Sequence, residues 1–297
     1  MSMKELIGFG FTVSIFLGVM AVGMRIAPTD LPYVLLNRSR LVRAFLAMGV
    51  LAPAAAILVS HMFSLHPAVT LALLTLSIAP VGSLFSANMA PLVTPGHAAY
   101  ARGLFFASTV LSVILTPLAV EVIQRIYSAN VHLNPLAVAK IVFGSVLLPL
   151  GIGFAISHFW PAARRWIPEI QKVSSALILV CGVLVIAGTW SLMGSVLREG
   201  TLIAIVLLSL IWLAIGHFLG GPDEDDRTVL AFATASRHPA IALAVASLVD
   251  QPLAPIGVLL TVLVSSLAMA PYKMWRKHAR ETPGKIAGRS PPTRTAH

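Results

Sequence analysis

The sequence sets one fixed positive charge in the middle of an apolar stretch: Arg237, within Ser236-Arg237-His238-Pro239. A guanidinium at the bilayer centre costs about 2.5–3.5 kcal/mol on insertion scales, so it faces the protein interior or water and marks a site. Snorkelling to an interface, the competing reading, would need a position near a span end, whereas Arg237 is mid-span. Pro239 suits the first turn of a new half-helix, with His238 as its cap. The free N–H groups of that helix start favour negative charge, so Arg237 and the helix end together read as an anion site. A planar fork can also bond backbone carbonyls, which makes Arg237 a candidate built-in cation. An unperturbed histidine titrates near neutrality, so His238 is a candidate for coupling protons, but beside a fixed arginine a neutral structural cap is the simpler role. Ser236 and Thr234 lie in the same stretch. A second run, Pro80-Val-Gly82-Ser83-Leu-Phe-Ser86-Ala-Asn88-Met-Ala-Pro91, cannot continue as a regular helix through both prolines. Its Ser83, Ser86 and Asn88 are candidate polar liners of that break, or caps of its exposed backbone.

These residues must be positioned by membrane-spanning helices. Of the 297 residues, 57% are hydrophobic and only 11% charged, against about 45–50% and about 25% in soluble domains. That balance excludes a soluble enzyme and intrinsic disorder, and the single cysteine, Cys181, excludes a disulfide scaffold. Nine segments are long enough to span: roughly 5–24, 44–63, 68–92 (interrupted), 99–123, 135–158, 173–197, 201–221, 228–248 (interrupted) and 253–272. The expected class is therefore an all-α polytopic membrane protein with nine transmembrane helices.

Each interrupted span precedes an unbroken one of similar texture, Ser108-Thr109-Val-Leu-Ser112 and Leu260-Thr261-Val-Leu-Val-Ser265. Spans one to four then correspond to six to nine, and the odd shift inverts the second unit. Paired broken helices in inverted repeats point to a secondary transporter with its substrate where the breaks meet. The expected organisation is residues 1–134 as a first repeat of four spans and 135–172 as an unpaired fifth span with its loop. Residues 173–272 form the inverted second repeat, and 273–297 a basic tail. Arginines 38, 40, 43, 164 and 165, with the tail, lie on one face, so the C-terminus is expected in the cytoplasm and the N-terminus outside. The formal charge of +10 then reflects topology and anionic lipid headgroups rather than nucleic acid. No His-Glu-x-x-His, paired intramembrane aspartates or Gly-x-Ser-x-Gly supports an enzyme. The run Asp223–Asp226 favours the start of the following helix electrostatically. Its consecutive spacing is unlike a calcium loop, so no metal or other cofactor is expected. Thr109, Ser112 and Thr116 are expected to bond carbonyls in their own or a neighbouring helix.

Pro80-x-Gly82 leading to Asn88-Met89, then Gly96 and Ser108-Thr109-x-x-Ser112-x-x-x-Thr116-Pro117, resembles the crossing-helix region of the bile acid:sodium symporter family. The stretch from Ala233 through Arg237 to Ala242 is similar to that family's second crossing helix. The resemblance follows nearly the whole chain in span order. It implies a panel domain of spans one, five and six, a core domain holding the crossed helices, and a bacterial inner-membrane location. It also implies alternating-access transport of a small organic anion of bile-acid or carboxylate type. The sodium ligands of the family fall on Ala87, Asn88, Ala101, Phe105, Ala233 and Arg237, of which only Asn88 keeps an oxygen-bearing side chain. None of the acids lies in mid-span, whereas a hard cation wants oxygen ligands and compensating negative charge. The residues thus argue against sodium, leaving three readings open: a carrier without the usual sodium sites, an ordinary sodium symporter, or a non-transporting sensor. Oligomeric state is not legible.

Overall fold

In hydrocarbon every backbone N–H and C=O must be bonded within the chain, which selects helices. The computed structural model describes residues 3–27, 37–82, 85, 89, 91–127, 134–188, 190–197, 200–246, 249, 251 and 253–287. Among these there is no strand, only an isolated bridge. In chain order the helices are α1 (Met3–Arg25), α2 (Arg38–Met62), α3 (Pro67–Ile78) and α4 (Pro95–Tyr127). Next is α5, in which Pro135–Val142, Phe143–Leu147 and Leu148–Phe159 follow without a gap. Then come α6 (Ile167–Gly188), α7 (Trp190–Val196), α8 (Thr201–Leu219), α9 (Glu224–Ala235), α10 (Pro239–Ala246) and α11 (Ala254–Ala287). Side chains cap several starts: Asn37 accepts from the Arg40 N–H, His66 from Ala68, Asn134 from Leu136, and Asp223 from Asp225 and Asp226. Partial burial works to raise the Asp223 carboxyl, but the Asp226 and Asp225 N–H groups and His97 hold it below the usual carboxylate range.

Seven of the described helices are long and apolar enough to cross a membrane: α1, α2, α4, α5, α6, α8 and α11. The chain is a polytopic α-helical membrane protein. The third and eighth expected spans are not in that set, because both are interrupted. Helix α3 has 12 residues, a length of roughly 18 Å against a hydrocarbon core of about 30 Å. It ends where Ala79 turns extended, at ψ 148°. The residue before a proline avoids the helical region, and here Pro80 follows. Helix α9 stops at Ala235, and the chain restarts as α10 at Pro239. Helix α11 runs on past Tyr272 to Ala287, into the residues expected as the basic tail.

Helix α1 lies along α5 and α6. The α1–α5 contact is backbone to backbone: a Cβ added at Gly23 would overlap the Leu150 carbonyl, and one at Gly153 the Met20 carbonyl. Between α1 and α6, Ser14 Oγ donates to Ser174 O (2.6 Å) and Ser174 Oγ donates back to Ser14 O (2.8 Å). Small residues and reciprocal hydroxyl bonds are what hold helices together where lipid removes the hydrophobic drive. Two apolar clusters surround the breaks, one through Tyr100, Phe105, Phe232 and Ala233, the other through Leu73, Leu208, Trp212 and Ala235.

The close contact makes a controlled prediction. Gly153→Leu should lower the thermal midpoint of the purified protein in detergent, by an overpacking cost of about 1–3 kcal/mol. Gly151→Leu, on the same helix with nothing within 4 Å of its Cβ position, should leave the midpoint nearly unchanged.

Candidate functional site where two broken helices cross

The breaks after α3 and after α9 meet. Val81 and Arg237 form an antiparallel bridge. The Gly82 N–H donates to Ser236 O at 2.8 Å, and the His238 N–H to Pro80 O at 2.9 Å. Backbone groups freed by each interruption are thus satisfied by the other. Gly82 permits the approach, since a Cβ there would stand 3.1 Å from the Arg237 carbonyl oxygen and 3.4 Å from Ser236 Oγ.

The C-terminal ends of α3 and α9, at Ile78 and Ala235, both lie at this crossing. Each carries partial negative charge from carbonyls with no helical partner. The Arg237 guanidinium occupies that place. Its Nε donates to Thr234 O (2.8 Å), Nη1 to Ala79 O (3.2 Å) and Nη2 to Met48 O (3.3 Å), on three different segments. The Met48 carbonyl is free for a local reason. Residues Leu46–Leu51 are wound as a π-helix, and the Ala52 N–H bonds back to Ala47 O. The next donor in that register would be Pro53, which has no N–H. The Trp212 ring lies 5.6 Å from the guanidinium carbon, within cation–π range, and its Nε1 donates to Ala52 O at 3.0 Å. No carboxylate pairs with Arg237 among the described residues.

The other sequence candidates fall out differently. Thr116 Oγ1 donates to Ile78 O (3.0 Å) and so finishes α3, and Ser112 Oγ donates to Thr109 O (2.7 Å). Thr109 Oγ1 has no partner among the described residues, against expectation. The Thr234 hydroxyl bonds Leu230 O at 2.7 Å, so Thr234 serves the crossing through its carbonyl. His238 is buried with both ring nitrogens unpartnered among the described residues, so its ring caps nothing there. What it supplies is backbone: its N–H bonds Pro80 and its carbonyl accepts from Ala242 at 3.3 Å. Pro91 is exposed in the turn leading to α4, while Pro80, Gly82 and Pro239 flank the bridge. Ser83, Ser86 and Asn88 lie outside the described residues.

A cavity of about 420 Å³ adjoins the crossing. Its apolar wall includes Phe85, Met89, Trp212, Phe232 and Met269, and its polar groups include Ser236, Arg237, Ser265 and Lys273. Trp212, Lys273 and the Met48 carbonyl escaped the sequence reading. Pro53, inside the second span, was the available signal for the last of these.

The family model for the Sodium Bile acid symporter family matches residues 12–195, more than half of the chain. The chain belongs to the sodium bile acid symporter family. It is a membrane-embedded member of a family of transporters. A search of curated proteins gave no match. The matched stretch includes the first break and ends before the second. The sodium-ligand pattern of the symporter family can be tested against the residues present. Ala101, Phe105 and Ala233 are fully buried in one hydrophobic cluster, and Arg237 brings a cation instead of an oxygen. These four side chains do not fit sodium, which takes oxygen ligands. Ala87 and Asn88 lie outside the described residues.

Arg237→Met should destabilise the protein strongly, because each buried carbonyl left without a donor costs about 1–3 kcal/mol. Arg237→Lys, a point charge without the fork, should recover part of the lost thermal stability. Equal midpoints for wild type and the Met variant would show that the guanidinium bonds are dispensable.

Proposed function

We propose that the chain is a secondary transporter that moves small organic anions by alternating access and does not use the two sodium sites of the family pattern. The observation that carries this reading is the charge character of the cavity beside the crossing. Among the described residues its charged lining is Arg237 and Lys273, with no carboxylate, and most of its wall is apolar. Its volume of about 420 Å³ suits a small molecule. Such a pocket complements an anion with an apolar body. Arg237 has further N–H groups beyond the three bonded ones, and the start of α10 adds free backbone donors beside it. In this reading Arg237 supplies permanently the positive charge that a coupling ion would bring and remove.

The same reading counts the two interrupted segments as spans, giving nine, with the repeats inverted and the termini on opposite sides. Support comes from the mutual backbone pairing of the breaks. Helices α1, α5 and α6, packed on one another, would form the panel, and the crossing with its neighbours the core. With the basic face in the cytoplasm of a bacterial cell, the cavity reaches along α11 from Val262 to Lys273, towards the cytoplasmic side. That corresponds to an inward-facing state. Family membership favours one second reading, ordinary sodium-coupled symport.

Reconstitution in proteoliposomes separates the two. Radiolabelled taurocholate, succinate and pyruvate should be screened for saturable counterflow, with sodium replaced by potassium or choline. The expected result is counterflow of at least one anion at a rate unchanged by sodium removal. Strong sodium dependence would establish the second reading, and no counterflow of any organic anion would overturn both.

A further inference from the structure

At the end of the bundle where α4 and α9 begin, the fold gathers His97, Asp223, Asp225, Asp226 and Arg40 from three separate parts of the chain. We propose that His97, Asp223 and Asp226 form a site for a divalent transition-type cation, zinc by ligand chemistry, that ties the start of α4 to the start of α9. One ligand atom from each of the three residues lies within 4.8 Å of the others. Ligand atoms about 2.1 Å from a tetrahedral zinc stand about 3.4 Å apart. His97 Nε2 is 3.1 Å from Asp223 Oδ1 and 3.6 Å from Asp226 Oδ1.

An acidic run at a helix start needs no metal, and Asp223 has an evident role as the cap of α9. The observation that points beyond capping is Asp226. Its side chain is 6% exposed, and Oδ2 accepts from Arg40 Nε at 2.7 Å. Oδ1 has no hydrogen-bond donor among the described residues, although it is buried and aimed at His97. A buried carboxylate oxygen without a donor calls for a positive partner. The surroundings also resemble the outer shell of a metal site. Thr94 Oγ1 lies 2.6 Å from His97 Nδ1 and can fix the ring, while the Thr94 N–H donates to Asp225 Oδ2 at 2.9 Å. Imidazole with two carboxylates favours zinc over calcium or magnesium, which take oxygen ligands. Exposed Asp223 leaves the fourth position open to water. The consecutive acids alone lack this geometry, because the nitrogen ligand comes from 126 residues earlier in the chain (223 − 97).

The test uses the full-length protein in detergent, stripped with EDTA and titrated with zinc against a chromophoric competitor. Cobalt absorption serves as a direct report of coordination. His97→Gln and Asp223→Asn are suitable variants, since asparagine still caps a helix. His278→Gln is the control for an exposed histidine. The expected result is one zinc per chain, a zinc-dependent rise in thermal midpoint, and affinity reduced roughly tenfold or more in both variants but not in the control. Absence of a stoichiometric site, or the same affinity in His97→Gln, would overturn the proposal. Because the readout is binding, it stands or falls separately from transport.

Discussion

Two helices of this protein end inside its apolar interior, and the carbonyls at those ends need donors that lipid cannot supply. Much of the architecture answers that demand. The two breaks are placed together so that Gly82 and His238 donate across the crossing, and Thr116 donates to the last carbonyl of α3. Three more carbonyls receive the guanidinium of Arg237. The helix ends are the negative poles of two dipoles, so a cation there is stabilised by charge as well as by hydrogen bonds. A residue that would be costly alone in hydrocarbon is therefore at home in this one place.

A covalently attached cation differs from a bound ion in one respect that matters for mechanism. It is present in every state, so it cannot transmit an ion gradient by arriving and leaving. Ala101, Phe105 and Ala233 are packed as apolar core. Arg237 nonetheless belongs to both the crossing and the cavity beside it. Any anion held in that cavity would meet a charge whose position is fixed by the backbone of three segments, so binding and the geometry of the crossing are mechanically linked.

The acids tell the complementary story. Among the described residues no acid pairs with Arg237, and Asp223, Glu224, Asp225 and Asp226 gather at one bundle end, where Asp226 meets Arg40, Asp223 meets His97, and Glu224 meets Arg276 at 3.2 Å. Positive charge in the centre and paired charge at the end follow from one rule. Charge is tolerated in low dielectric only where the surrounding groups are already polarised towards it.

Composition and the order of apolar runs determined the membrane class, the helical content and the positions of the continuous spans, because hydrocarbon thickness and backbone satisfaction leave few alternatives. Pro80 and Pro239 likewise marked the breaks, since proline removes a donor wherever it stands. Arg237 was conspicuous as the lone mid-span charge. Tertiary structure alone decided what these features do together. That Arg237 faces helix C-termini rather than only a helix start, that Met48 offers a carbonyl, and that His97 joins the acids all depend on segments distant in sequence. Those contacts are fixed by how helices pack at glycines and serines. That packing depends on the shape of the whole bundle and leaves no periodic signature in the chain.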